Sequence, residues 1–227
     1  MVTDKNGEIE LKKMDVYYLK SDLSFHYKKN RELIVDLLRI KHLLKLNGKI
    51  SAEEISILEL GLRHSWYEIY NQIAGLIVSQ FYTYLKIQEL CLQLMKDKHS
   101  KIRCNIFEIL LFKLKKSVSN EFIKKALEDK SIRVVEVGIE YIELNDLANF
   151  IPELNKLKNK FPKNKKSIEN SINFISNGYI TEEDSENPDL VWITLKHKNT
   201  YHSRSFQKKI VTNKLISSFL MDIQKTL

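Results

Sequence analysis

Ser100-Lys101-Ile102-Arg103-Cys104-Asn105-Ile106-Phe107-Glu108-Ile109 carries isoleucines at i, i+4 and i+7, one stripe along an α-helix. The same stripe returns 33 residues upstream as Ile69, Ile73 and Leu76. It returns downstream as Val135, Ile139 and Ile142, and again as Ile168, Ile172 and Ile175. A fixed step of this length marks a stacked repeat, in which each unit buries its stripe against its neighbours.

Composition agrees with a helical chain. The 227 residues are 43% hydrophobic, and only six are glycine and three proline. All-β folds need many tight turns rich in those residues. The expected class is therefore all-α, an α-solenoid of about four to five helix pairs.

The columns set the organisation on either side of them. Ser51-Ala52-Glu53-Glu54 has the Ser-x-x-Glu spacing of a capping box, so a helix starts there and runs through Ile55, Leu58 and Leu62. Ser65 can cap the next helix, which is expected to hold the first column set. First helices are expected near Tyr84–Asp97, Ser119–Asp129 and Ile151–Phe161, and second helices near Ser100–Lys116, Ser131–Leu144 and Ser167–Asn177.

Residues 1–50 read as an N-terminal helical cap, ending at the helix stop Asn47-Gly48. Residues 51–178 hold the repeats. A further step of 33 lands on Tyr201, Ser205 and Lys208, so the pattern fails there. Residues 179–189 read as an acidic linker, with Glu182, Glu183, Asp184, Glu186 and Asp189. Residues 190–227 form a C-terminal cap. Its Leu190–Leu195 run fits either a short strand or one buried helical turn, and Phe206 to Ile223 follows mostly helical spacing.

Leu94-Met95-Lys96-Asp97-Lys98-His99-Ser100-Lys101-Ile102-Arg103 resembles the joint of a HEAT repeat, with a leucine pair, an aspartate, a turn and an Ile-Arg pair opening the second helix. Gly61 to Tyr70 fits the same spacing. Ala126 to Arg133 keeps the vocabulary but is out of step, because Arg133 precedes the column residue Val135. Ankyrin and tetratricopeptide signatures are absent. The resemblance implies a HEAT-like solenoid whose second helices line a concave groove, and whose arginines hydrogen-bond to an aspartate of the adjoining repeat.

On that register, groove residues come one and five positions after the columns. This selects Tyr70, Arg103, Phe107, Glu136 and Glu140, with Trp66 as a further aromatic anchor at a helix start. A groove running from aromatic and basic to acidic suits a folded protein or peptide better than a uniformly negative duplex. The expected function is non-enzymatic: a protein-binding scaffold, adaptor or inhibitor.

The runner-up is nucleic-acid binding. The net charge is +8, and Lys156, Lys158, Lys160, Lys163, Lys165 and Lys166 form a run without an intervening acid. Ser65-Trp66-Tyr67-Glu68-Ile69-Tyr70-Asn71 also resembles the Ser-Trp-Trp-Asp-x-x-Asp segment of HEAT-like alkylpurine DNA glycosylases. Asn71 stands where that family has its catalytic aspartate. A neutral amide cannot stabilise the cationic sugar of base excision, so the resemblance implies binding without that activity.

No metal site and no cofactor are expected. The six histidines, among them His197 and His202, form no metal motif, and phosphate-binding glycine loops and nucleophile elbows are missing. Cys91 and Cys104 sit in apolar helical patterns as reduced core residues. No run reaches the ~18 apolar residues of a membrane span, and Met1–Asp15 lacks a signal-like apolar stretch, so a cytoplasmic, membrane-free location is expected.

Overall fold

The computed structural model describes residues 5–46, 50–114, 120–197 and 200–226. The helix stop at Asn47-Gly48 and the ends of two expected helices, Lys116 and Ser119, lie outside them. The chain divides into two compact units, Met1–Val118 and Ser119–Leu227.

Every described element of the first unit is a helix: α1 (Lys5–Leu19), α2 (Ser24–Lys45), α3 (Ala52–Leu62), α4 (Tyr67–Gln80), α5 (Leu85–Leu94) and α6 (Ser100–Glu108). A π-helical turn, Ile109–Lys113, extends α6. The capping box forms as its spacing predicts. Ser51 Oγ accepts from the Glu53 and Glu54 amides, and the Glu54 carboxylate takes the Ser51 amide at 2.7 Å, an arrangement contributing roughly 1 kcal/mol. The Ser51 hydroxyl also donates to Glu54 and holds its carboxyl below the usual range, against the opposing effect of burial.

Helices of the same kind meet inside this unit. First helix α3 packs on first helix α5, and second helix α4 packs on the π turn that ends α6. Gly61 makes the α3–α4 approach possible, since a Cβ there would meet Ile73 Cδ1 at 1.8 Å.

The second unit opens with two further helix pairs, α7 (Asn120–Glu128) with α8 (Ile132–Leu144) and α9 (Ile151–Lys160) with α10 (Lys165–Asn177). Here α7 packs on α9 and α8 on α10. Gly178, at φ 76°, ends α10 in the left-handed conformation that glycine adopts without a Cβ penalty.

Ten of the twelve column residues are buried; Ile172 and Ile175 are half-buried. Those two belong to α10, whose core face has turned to Ile168, Ser171 and Phe174. The cause lies in the strands beyond the helix. Strand β1 packs on α10, and the Tyr201 ring lies edge-on to Phe174 at 5.3 Å.

The all-α expectation needs correcting past Gly178. Strands β1 (Tyr179–Glu183), β2 (Leu190–His197) and β3 (Thr200–Gln207) form an antiparallel sheet in that order. The segment expected as an acidic linker therefore begins as a strand, and Leu190–Leu195 is a strand rather than a helical turn. Val191, Ile193 and Leu195 point to one buried face, where Ile193 and Leu195 meet Ile216, Phe219 and Ile223 of α11 (Asn213–Thr226). Arg204 lies over the Phe219 ring at 4.9 Å, a cation–π contact of about 0.5–1 kcal/mol or more. Among the described residues no helix is long and apolar enough to cross a membrane.

Candidate functional site on the second-helix face

Four of the six expected groove residues belong to the core of the first unit. Trp66 is buried at the start of α4, with Tyr18 edge-on at 5.8 Å and His26 stacked at 5.7 Å. Tyr70 is buried, and its hydroxyl donates to the Asn105 carbonyl at 3.3 Å and to Glu108 at 3.2 Å. Burial, with Glu108 adding to it, pushes the phenol well above its ordinary pKa. Arg103 is 3% exposed and donates to the carbonyls of Asp97 and Lys98 at 2.7 and 3.3 Å. Phe107 is 1% exposed. None of these four offers a surface to a partner. Position in a helical register finds a side chain's direction, but it does not reveal whether another helix covers that direction.

Arg63 forms an aspartate partnership of the kind that the HEAT resemblance implies. Arg63, at the end of α3, donates to Asp97 at 2.5 Å and to Glu59 at 2.8 Å. The Arg63 guanidinium holds the Asp97 carboxyl below its usual range despite burial. This pair joins the turn after α3 to the turn after α5. Its sequence signal was present, since Arg63 and Asp97 are 34 residues apart, close to one repeat.

Glu136 and Glu140 are exposed on α8. They rim an open notch between α8 and α10, lined also by Glu143, Ile132, Ile139, Asn164, Ser167, Ile168 and Ser171. Asn164 donates to Glu136 at 3.3 Å. Tyr201 of β3 donates its hydroxyl to the Glu143 carboxylate. Burial, then the hydrogen bond to Glu143 and the charges of Glu143, Glu140 and Asp146, raises the Tyr201 pKa. Nearby, the Lys196 side chain is only 4% exposed. Its ammonium meets the Glu143 carbonyl and, at 2.7 Å, Asp146. No lysine or arginine lines the notch itself among the described residues. Sequence reasoning missed Glu143, Ser171, Lys196 and Tyr201; for Glu143 the signal existed, because it stands one residue after the column residue Ile142.

The lysine run is largely occupied within the protein. Lys158 and Lys165 lie 3.6 and 4.0 Å from Glu169, and Lys166 lies 3.3 Å from Glu182. Lys160 donates to the carbonyls of Glu128 and Asp129 at 3.0 and 2.8 Å, closing the C-terminal end of α7. Lys163 is exposed. Asn71, at the position of the glycosylase aspartate, is half-buried on α4. Among the described residues no group of three or more His, Cys, Asp or Glu is placed to hold a metal ion; the His197 side chain lies outside them. Comparisons with family models, with curated proteins and with solved structures yield no match.

Proposed function

We propose that this chain is a non-enzymatic protein-binding module built as a short HEAT-like α-solenoid, docking a partner on the face of its second helices. Helix pairs at a 33-residue step, with like helices packed on like inside each unit, support the architecture. The observation that carries the function is the open acidic notch of α8 and α10, a concave surface with an apolar floor and a charged rim. Glu136 and Glu140 remain its contact residues. Trp66, Tyr70, Arg103 and Phe107 are withdrawn from that role because they are buried.

A cytoplasmic setting belongs to the same proposal. Neither Cys91 nor Cys104 is in a disulfide among the described residues, and burial pushes the Cys91 thiol up to about 12, which suits a protected core residue. Nucleic-acid binding through Lys158, Lys160, Lys163, Lys165 and Lys166 is the competing outcome, weakened by the carboxylates and carbonyls that Lys158, Lys160, Lys165 and Lys166 already serve.

Affinity capture with the full chain, with and without nuclease, tests the reading. A stoichiometric, nuclease-resistant protein lost in the Glu136→Lys, Glu140→Lys variant is expected. Capture that disappears with nuclease and is indifferent to that variant would overturn it.

A further inference from the structure

We propose that His64 is an acid-sensitive latch: uncharged, it ties the start of α4 to α2, and protonated, it releases Trp66 and loosens the apolar pocket between α1, α2 and α4. The latch lies wholly in the first unit and is independent of the α8–α10 reading.

Four contacts form a closed circuit. Trp66, which immediately precedes α4, donates its backbone N–H to His64 Nδ1 at 3.0 Å. His64 Nε2 lies 2.9 Å from Asn30 Oδ1 on α2. The Asn30 side-chain nitrogen donates to the His26 carbonyl at 2.7 Å. The His26 ring stacks on Trp66 at 5.7 Å and completes the loop.

The backbone groups at the two ends fix every proton between them. A peptide N–H only donates, so His64 Nδ1 is unprotonated. A peptide carbonyl only accepts, so Asn30 turns its nitrogen to His26 and its oxygen to His64. Nε2 therefore carries the one ring proton. Imidazolium holds a proton on both nitrogens, and the second would point at the Trp66 N–H. Two donors would then face each other, and an attraction at the head of α4 would become a repulsion.

The surroundings oppose that second proton. Neither ring nitrogen has a carboxylate partner. From α2, Lys29 and His26 act on the ring. In the turn itself, Arg63 is directed to Glu59 of α3 and to Asp97 of the turn after α5. In the first turn of α4, Glu68 acts on Tyr18 of α1. Burial, then Lys29 and His26, holds the His64 pKa below its ordinary value of about 6.5. The uncharged ring thus stabilises the fold fully above the unfolded value of about 6.5, and that contribution is lost as pH falls from there through the folded value.

Trp66 is also a wall of the pocket that Met14, Tyr18, Leu37, Ile69 and Leu76 help to line. Freeing its backbone loosens this wall together with the Tyr18 and His26 rings that rest on it. A histidine is suited to such control because its charge changes near neutral pH.

Trp66 and Trp192 are the two tryptophans of the chain, so Trp192→Phe leaves Trp66 as the sole reporter. In that background, lowering the pH from about 7.5 to about 5 is expected to shift its emission to the red. Hydrogen-exchange protection of the Trp66 amide should fall by up to about tenfold per pH unit, the slope of one proton. His64→Asn puts an oxygen where Nδ1 stands and cannot titrate, so both responses should vanish. His26→Asn keeps the backbone carbonyl and should retain both, with the midpoint moved up because a neighbouring charge is gone. Constant emission and protection in the Trp192→Phe background, or a full response persisting in His64→Asn, would overturn the proposal. If His64→Asn does not fold, imidazole nitrogen NMR of the unsubstituted chain decides. An Nε2–H tautomer titrating below about 6.5 supports the latch, and an Nδ1–H tautomer, or titration at or above that value, overturns it.

Discussion

Tyr70, Arg103 and Phe107 in the first unit and Glu136 and Glu140 in the second all stand one residue after a column isoleucine or valine, and they meet opposite fates. The first three are buried, whereas the two glutamates face solvent. In the first unit the position is closed over. Tyr70 reaches from α4 to the backbone of α6, and Arg103 folds back onto the turn before its own helix. In α8 the same position carries carboxylates, which are costly to bury without partners, so the face stays open. The 33-residue step thus preserves buried positions more faithfully than the residues beside them, and the residue beside the core decides whether a face becomes packing or stays open to solvent.

Substitution can break this contrast, most severely at the columns. Ile106→Asp puts a charge at a fully buried site of the first unit and should cost more than about 4 kcal/mol. Amide hydrogen exchange should accelerate across residues 52–113, and a protected pattern there would refute the column assignment. Phe107→Ala should cost about 3–5 kcal/mol as a core cavity, while the register-equivalent Glu140→Ala should change stability, read from the denaturation midpoint, by less than about 0.5 kcal/mol. Similar costs at the two sites would erase the distinction between the faces.

The Arg63–Asp97 pair gives an intermediate effect with a defined pH signature. Because the folded Asp97 pKa is lowered, its stabilisation is fully present above the unfolded value of ~3.9 and is lost as pH falls through the folded value. Urea midpoints should therefore fall as the pH is lowered from about 5.5 to about 2.5, and Asp97→Asn should flatten part of that slope by lowering stability at the upper pH. An unchanged slope would mean that the pair contributes little. The smallest thermodynamic effect belongs to the Glu136→Gln, Glu140→Gln variant, whose melting temperature should stay within a few degrees of the parent while partner capture is lost.

The helix pairs were legible because the signals that define them are local: a stripe with a 3.6-residue period, Ser51 with Glu54, and short polar turns. The C-terminal sheet was harder to read for a reason visible in Trp192. It is apolar yet 41% exposed, so it breaks the alternation that Val191, Ile193 and Leu195 otherwise spell. The open half of the candidate face could be read from Glu136 and Glu140. Its floor at Ser171 could not, because the rotation of α10 away from Ile172 and Ile175 is set by strands beyond the repeat. Burial of Trp66, Tyr70, Arg103 and Phe107 is likewise a property of neighbours rather than of the residues themselves.

Lys196 ties this geometry to the order in which the chain is made. Its ammonium completes the end of α8 through Glu143 and Asp146, positions synthesised 53 and 50 residues earlier. During translation, the carbonyl at that helix end must therefore stay hydrated until β2 leaves the ribosome. The notch beside it acquires its Tyr201 hydroxyl later still. A nascent chain halted before residue 190 would hold every helix that bears the acidic rim and still lack the groups that finish it, so that face should take its final form only after β3 has been made.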